Sequence, residues 1–277
     1  KHVDDKGFLR VNPIGGWDPR VLASQRVVVR TANGLLKGLM MPGTKPTHLL
    51  DDSEKGKPAK IDDMFIDLGL GAKAKDVVRI GDTVTMDRPF QRTGELLTAK
   101  AMDDRVAVFV MLEAIRRVGD HACEIHAVAT SQEEIGLRGA AAAGAAIAPD
   151  VVIAIDITLA NDIPGVPEQD AITRLGQGTA IKIMDSSLIC HPGLVATFRR
   201  VAEARGIPHQ MEILARGGTD AGGVQRLHGG IPAFTLSIPT RYVHTPNETV
   251  HEGDVEASIA LLAAVLEELS ADDLVLE

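Results

Sequence analysis

Aromatic residues, cysteine and net positive charge are all scarce in this sequence, and each scarcity excludes a class of protein. Phe, Trp and Tyr together make up 3% of the 277 residues, which is too few for the stacking platforms that bind single-stranded nucleic acid. The formal net charge of −9 argues against a nucleic-acid partner, because no basic patch stands out that would neutralise phosphates. The only cysteines, Cys123 and Cys190, form no CxxC pair, which predicts a reducing, cytoplasmic location.

Long hydrophobic runs and two common hydrolase motifs are also absent. No apolar stretch reaches the length that spans a bilayer, and no signal peptide is visible, so we expect no membrane partner. HExxH and GxSxG do not occur, which excludes a zincin helix and a nucleophile elbow. The chain opens on KHVDDKGFLRV without an initiator methionine, and we expect a natural N-terminal segment to precede it.

The apolar pattern changes near residue 97. From residue 13 to 96, short β-branched runs such as RVVVR alternate with turn residues, including the hairpin dipeptide Asn33 and Gly34. This pattern predicts a small all-β barrel or sandwich. From residue 97 onward, amphipathic helices alternate with apolar runs such as IHAVAT (residues 125–130) and VVIAIDI (residues 151–157).

This alternation predicts an α/β fold with a mixed central sheet flanked by helices. HVDDKGF (residues 2–8) also has the pattern of a strand of this larger sheet. We therefore predict a discontinuous larger domain formed by residues 1–12 and 97–277. The small β domain, residues 13–96, would be an insertion into it.

Acidic and histidine side chains stand where the predicted strands end. In an open α/β sheet, ligands bind outside the carboxyl ends of the strands. His2 and Asp4 share one face of the first strand because side chains alternate. The other candidates stand near the ends of later strands, and they are Asp103, Glu133, Glu134, Asp156 and His244. Mixed His, Asp and Glu donors suit zinc, cobalt or manganese, and a carboxylate shared by two ions makes a dinuclear site.

Each of these residues alone also has a structural explanation. Asp103 could be the N-cap of the following helix, and Asp104 a favourable charge in its first turn. His244 could be a turn residue, and the Glu pair could be one solvated residue and one partner of Arg138. A structural explanation must nevertheless account for five acid or histidine positions at the same edge of one sheet. The joint pattern therefore favours a metal site.

Six motifs together resemble one family. HVD, KAMDDRV, SQEEIGLRGA, AIDITLA, ARGGTDAG and RYVHTPNE occur in this order over essentially the whole chain. They resemble the dinuclear metallo-aminopeptidases of the TET type, which include glutamyl and deblocking aminopeptidases. The resemblance implies a zinc-peptidase-like α/β domain whose inserted β domain mediates dimerisation within a homo-dodecamer.

The resemblance also implies a role for each motif residue. Two divalent ions would bind per chain, most readily zinc, with cobalt or manganese as alternatives, and Asp103 would bridge them. His2 and Asp156 would complete one ion's shell, and Glu134 and His244 the other's. Glu133 would be the general base. Asp4 would orient His2, and Asp5 replaces the glutamate that relatives usually carry after this motif.

The activity implied is removal of the N-terminal residue from short peptides. Two alternatives remain open at this point. A related dinuclear deacylase or carboxypeptidase would use the same metals and base, and a non-catalytic assembly or peptide-binding protein would keep the metals only as structure. The loops TLANDIPGV (residues 158–166) and GGTDAGG (residues 217–223) are the candidates for side-chain selection.

Overall fold

The computed structural model describes residues 1–45, 47–53 and 60–275. The chain divides into two compact units. The first comprises Lys1–Pro89 and His244–Pro246, and the second comprises Phe90–Val243 and Asn247–Glu277. Among the described residues, no helix is long and apolar enough to cross a membrane.

The first unit contains a six-stranded antiparallel sheet with two short helices. The strands are β1 (His2–Val3), β2 (Leu9–Arg10), β3 (Gln25–Thr31), β4 (Gly34–Pro42), β5 (Met64–Asp67) and β6 (Thr83–Met86), and the helices are α1 (Pro19–Leu22) and α2 (Ala74–Val77). The strand order is β1-β2-β5-β4-β3-β6. Strands β3 and β4 form the hairpin predicted at Asn33 and Gly34, with Thr31 opposite Gly34. Val27, Met64 and Ile66 are among the fully buried residues of this unit's core.

The second unit contains a seven-stranded mixed sheet covered by helices. Its strands are β7 (Gln91–Thr93), β8 (Leu96–Ala99), β9 (Val152–Leu159), β10 (Thr179–Met184), β11 (His209–Ile213), β12 (Ala233–Arg241) and β13 (Glu248–His251). Its helices are α3 (Met102–Arg117), α4 (Arg138–Ile147), α5 (Pro192–Arg205), α6 (Asp220–Val224) and α7 (Glu252–Glu268). The strand order is β11-β10-β12-β13-β8-β7, with β9 also paired to β12. The β10–β11 and β12–β9 pairs are parallel and the others antiparallel, which confirms the mixed α/β prediction.

Strand β12 organises the second unit's core. All of its residues except Arg241 are buried, and it pairs with the whole length of β9, from Ala233 opposite Val152 to Thr240 opposite Leu159. Phe234 of β12 stacks on Phe198 of α5 with ring centroids 4.0 Å apart. Because β9 and β12 run in parallel, their carboxyl ends meet at one edge of the sheet.

Two strand predictions were wrong. HVDDKGF does not join the larger sheet, since β1 pairs with β2 in the six-stranded sheet. The run IHAVAT forms no strand, and Val128 within it is 39% exposed. An alternating apolar run forms a strand only where a neighbour satisfies its backbone hydrogen bonds. Among the described residues, no strand pairs with IHAVAT. Whether residues 1–12 act with 97–277 as one catalytic domain stays a prediction.

Candidate metal centre

Three aspartate side chains of the second unit converge at the start of α3. One carboxylate oxygen from each of Asp103, Asp104 and Asp156 lies within 4.8 Å of the other two. Asp103 and Asp104 have non-helical backbone dihedrals although they fall inside α3, and the peptide bond between them is cis. The Asp103 N–H donates to Oε2 of Glu248 over 3.1 Å, which ties this turn to β13.

Strand β9 places Asp156 in this cluster. The residue is 7% exposed and lies opposite Ser237 of β12. Its Oδ1 accepts the N–H of Ile157 over 2.7 Å. The surrounding apolar strand fixes the backbone on both sides, so the carboxylate has little freedom to leave the cluster.

The carboxylates repel one another. Burial raises the pKa of Asp156 well above its usual value, and the charges of Asp103 and Glu133 add to the rise, while the Ile157 hydrogen bond and Lys182 oppose it. The pKa of Asp104 rises in the same way through burial, the charges of Asp156 and Asp103 and, to a smaller extent, that of Glu133. Asp104 Oδ1 is buried and has no hydrogen-bond partner among the described residues. A divalent cation would relieve both the repulsion and this unpaired oxygen, so the donor set fits a metal site.

Glu133 and Glu134 lie in a 3₁₀ turn, Glu133–Ile135, that leads into α4. Glu133 is half-buried and Glu134 exposed. Because its charge raises the pKa of Asp156, Glu133 lies within electrostatic reach of the aspartate cluster. The expectation that both glutamates follow a buried strand was wrong, since residues 124–130 form none.

His2, Asp4 and His244 belong to the first unit. His2 is an exposed residue of β1, opposite Arg10. Asp4 Oδ1 accepts the N–H groups of Lys6 and Phe8, each over 2.9 Å, and thereby shapes the β1–β2 turn. His244 is exposed and has a left-handed backbone conformation with φ of 60°. The ligand roles of both histidines, and the orienting role of Asp4, stay predictions.

Sequence reasoning missed the contribution of Asp104 and a buried ion pair. Asp104 belongs to the carboxylate cluster, and a backbone hydrogen bond from Ala107 partly opposes the rise in its pKa. Lys182 and Glu212 are both fully buried and form an ion pair. The signal for the pair was a single lysine in the apolar strand TAIKIM, since charged side chains are almost never fully buried unless paired.

The mixed sheet and the carboxylate cluster at its edge are those of a metallohydrolase. Residues 1–261 match the M42 glutamyl aminopeptidase family. The chain belongs to this family, which is metal-dependent.

Similar proteins support this assignment. The lysyl aminopeptidase of Pyrococcus furiosus is 37% identical, and the match covers 98% of this chain and 78% of that protein. An aminopeptidase structure from the archaeon Desulfurococcus kamchatkensis is 41% identical with a TM-score of 0.92, covering 99% of this chain and 76% of that one. The structure of the Pyrococcus horikoshii TET1 peptidase, which can assemble into a tetrahedron or a large octahedral shell, is 30% identical with a TM-score of 0.82, covering 96% of this chain and 79% of that one. The protein is therefore an aminopeptidase, a hydrolase of peptide bonds.

Proposed function

We propose that each chain binds two divalent ions, zinc in the first place, and removes the N-terminal residue of short peptides. The observation that carries the proposal is the convergence of Asp103, Asp104 and Asp156 within 4.8 Å, with the pKa of Asp104 and Asp156 raised. Uncompensated, such a cluster costs stability. Two bound cations would offset that cost.

In the proposed ligand set, Asp103 would be shared by the two ions. Asp156 and His2 would hold one of them, and Glu134 and His244 would hold the other. This assignment rests on the order of the sequence motifs and on the family. Asp4 would orient His2.

In the proposed reaction, Glu133 is the general base. It accepts a proton from the attacking water and passes it to the departing amine as the scissile C–N bond breaks. When bound, the metal ions polarise the scissile carbonyl and lower the pKa of that water. The half-buried position of Glu133 beside the aspartates suits this role, because its charge is poorly screened by solvent there.

We also propose that the chain assembles through its six-stranded β unit, residues 13–96 in the sequence prediction, into dimers and then into a homo-dodecamer in the cytoplasm. The ability of the Pyrococcus horikoshii relative to assemble into a tetrahedron or a large octahedral shell supports this proposal. Enclosure would admit short peptides and exclude folded proteins.

The activity is tested with a panel of aminoacyl p-nitroanilides. The protein is treated with a chelator, dialysed, and reconstituted separately with zinc, cobalt or manganese. We expect no cleavage after chelation, recovery with at least one metal, and no cleavage of the same substrates once their α-amine is acetylated. Release of acetate from the acetylated substrates would instead support a deacylase, and unchanged cleavage after complete metal removal would contradict the proposal.

A further inference from the structure

The segment that enters the Glu133–Ile135 turn has little support of its own. Residues 127–132 are exposed and form no helix or strand in the described chain. One side-chain contact reaches across from another element. The Thr130 hydroxyl donates to Oδ2 of Asp220 over 2.5 Å. Asp220 is the first residue of α6 and belongs to the motif GGTDAGG.

The backbone beside Asp220 is fixed to the sheet by a buried polar network. The hydroxyl of Thr219 contacts Oδ2 of Asp185 at 3.0 Å and the hydroxyl of Thr235 at 2.8 Å. Thr219, Asp185 and Thr235 are each at most 2% exposed. Asp185 Oδ1 in turn accepts the N–H and hydroxyl of Ser187. The backbone at Asp220 is therefore held next to β12 and to the residue that follows β10.

The far end of the turn is fixed to the same helix by packing. The N–H of Gly139 donates to the carbonyl of Ser131 over 2.9 Å, and a Cβ at Gly139 would lie 2.3 Å from that oxygen. Helix α4 then packs on α6, where a Cβ at Gly144 would lie 2.8 Å from Val224. The turn is thus clamped between two contacts that both lead to α6.

Asp220 holds its place at a cost to stability. Its Oδ1 is buried and has no hydrogen-bond partner among the described residues. Burial raises the pKa of Asp220, although the Thr130 hydrogen bond opposes the rise. A buried, unpaired carboxylate oxygen contributes nothing favourable to folding. The hydrogen bond from the Thr130 hydroxyl to Oδ2 is the favourable contact that this side chain makes.

From this geometry we propose that Asp220 is a positioning residue for Glu133 and Glu134, acting through the hydroxyl of Thr130. The inference rests on the proposed function, in which Glu133 is the base and Glu134 a ligand. Asp220 touches neither substrate nor metal. It fixes the position at which the Glu133–Ile135 turn begins, and therefore the position of the proposed base, Glu133.

The test compares five variants of the metal-loaded protein, four single and one double, with the wild type. We expect Asp220→Ala and Thr130→Val each to lower kcat about tenfold, as expected for one lost hydrogen bond to a charged group. KM and metal content should stay within about twofold of the wild-type values. Asp220→Asn keeps an acceptor and Thr130→Ser keeps a donor, so both should recover most of kcat. The double variant Asp220→Ala/Thr130→Val should be no slower than either single variant, since both remove the same contact.

A matched control is available elsewhere in the second unit. The Thr197 hydroxyl donates to Asp273 Oδ1 over the same 2.5 Å. Thr197→Val should leave kcat unchanged while lowering the melting temperature. If Thr130→Val, at an exposed position, kept wild-type kcat, or if the double variant showed additive losses, the positioning role would be refuted.

A second readout does not depend on turnover. Glu134 is a proposed ligand, so the visible absorption of the cobalt-loaded protein should change in Asp220→Ala and Thr130→Val and return in Asp220→Asn and Thr130→Ser. An unchanged spectrum with unchanged kcat would overturn this inference alone. Loss of the proposed function itself would show differently, as wild-type kcat in Glu133→Gln.

Discussion

Charged residues in the second unit stand where a protein interior disfavours them. Asp156 is 7% exposed and lies beside two other aspartates, and Lys182 and Glu212 are fully buried. The aspartate cluster is built from carboxylates, which repel one another. Lys182, in contrast, is matched by Glu212, and its charge also lowers the pKa of Asp156. The aspartate cluster therefore suits added cations, whereas in the Lys182–Glu212 pair each charge is balanced by its partner.

The first prediction at this scale concerns the base. Glu133→Gln removes the proton acceptor but keeps the shape of the side chain, so we expect kcat to fall by about 10²- to 10⁴-fold. Metal content should stay at the wild-type value, because Glu133 is not one of the proposed ligands. The measurement is steady-state hydrolysis of a p-nitroanilide together with elemental analysis. Glu124→Gln, at an exposed glutamate in the same segment, is the control and should be unchanged; near-wild-type kcat in Glu133→Gln would rule out this base.

The second prediction at this scale concerns the buried ion pair of Lys182 and Glu212. Glu212 Oε1 accepts from Lys182 Nζ and, over 2.6 Å, from the hydroxyl of Thr158, so Lys182→Met leaves a buried carboxylate without its cation. We expect the free energy of unfolding in denaturant to fall by about 3–5 kcal/mol. Lys182→Met/Glu212→Met should regain most of that loss, because no lone charge remains.

Arg199→Met is the control for this pair. Arg199 and Glu203 form an exposed ion pair on α5, with side chains 61% and 55% exposed. Such pairs contribute about 0–1 kcal/mol. If Lys182→Met lost no more stability than Arg199→Met, the argument from burial would fail.

At the scale of residues, the sequence was informative where type and spacing were unusual. Asp103 and Asp156 were predicted as site residues and lie within one cluster. Asp104 was explained as a helix charge, because adjacency to Asp103 does not reveal that the backbone departs from helical dihedrals at both positions. Hydrogen bonding across strands, as between Thr158 and Glu212, depends on register and was not predictable from local sequence.

At the scale of elements, apolar periodicity predicted the helices well and the strands less reliably. Amphipathic helices were predicted from residue 97 onward, and α3 and α4 are two of the helices found there. A helix satisfies its own backbone hydrogen bonds, whereas a strand requires a neighbour. IHAVAT therefore has the pattern of a strand but forms none. The pattern of β1 indicates a strand but does not tell which of the two sheets it joins.

The third prediction concerns how the C-terminal turn is joined to α5. Asp273 Oδ1 accepts from the Thr197 hydroxyl, and Oδ2 accepts the N–H and hydroxyl of Ser270. Burial raises the pKa of Asp273, but the hydrogen bonds from Thr197 and Ser270 outweigh it and hold the pKa below the usual 3.8. A depressed carboxyl pKa stabilises the fold above the unfolded value and loses that contribution as pH falls through the folded value.

We therefore expect Asp273→Asn to melt below the wild type at neutral pH and at pH ~5. The difference in melting temperature should shrink as the pH falls below 3.8. Asp272→Asn, at the exposed neighbouring position, serves as the control and should differ little at any pH. If the difference in melting temperature grew on acidification, the stabilising role assigned to the ionised Asp273 would be contradicted.

At the scale of the whole molecule, the prediction is assembly. Light scattering coupled to size-exclusion chromatography should give the mass of twelve chains, with dimers as the intermediate on dilution. The physical basis is the exposed apolar side chains of the six-stranded sheet, among them Leu35 and Leu39 of β4, which are 59% and 52% exposed. Burying such a surface between copies would stabilise the pair. Replacing Leu39 with Lys should shift the population toward single chains, and a monomeric wild-type mass would remove the assembly proposal.

The most direct test of the central claim is the number of metal ions bound per chain. Elemental analysis of purified protein, after reconstitution and removal of free metal, should give two ions per chain in the wild type. Asp103→Ala should lose metal, since Asp103 is the proposed shared ligand, while Asp272→Ala should retain two ions. If the reconstituted wild type bound no metal, or if Asp103→Ala bound as much as the wild type, the dinuclear site would be contradicted.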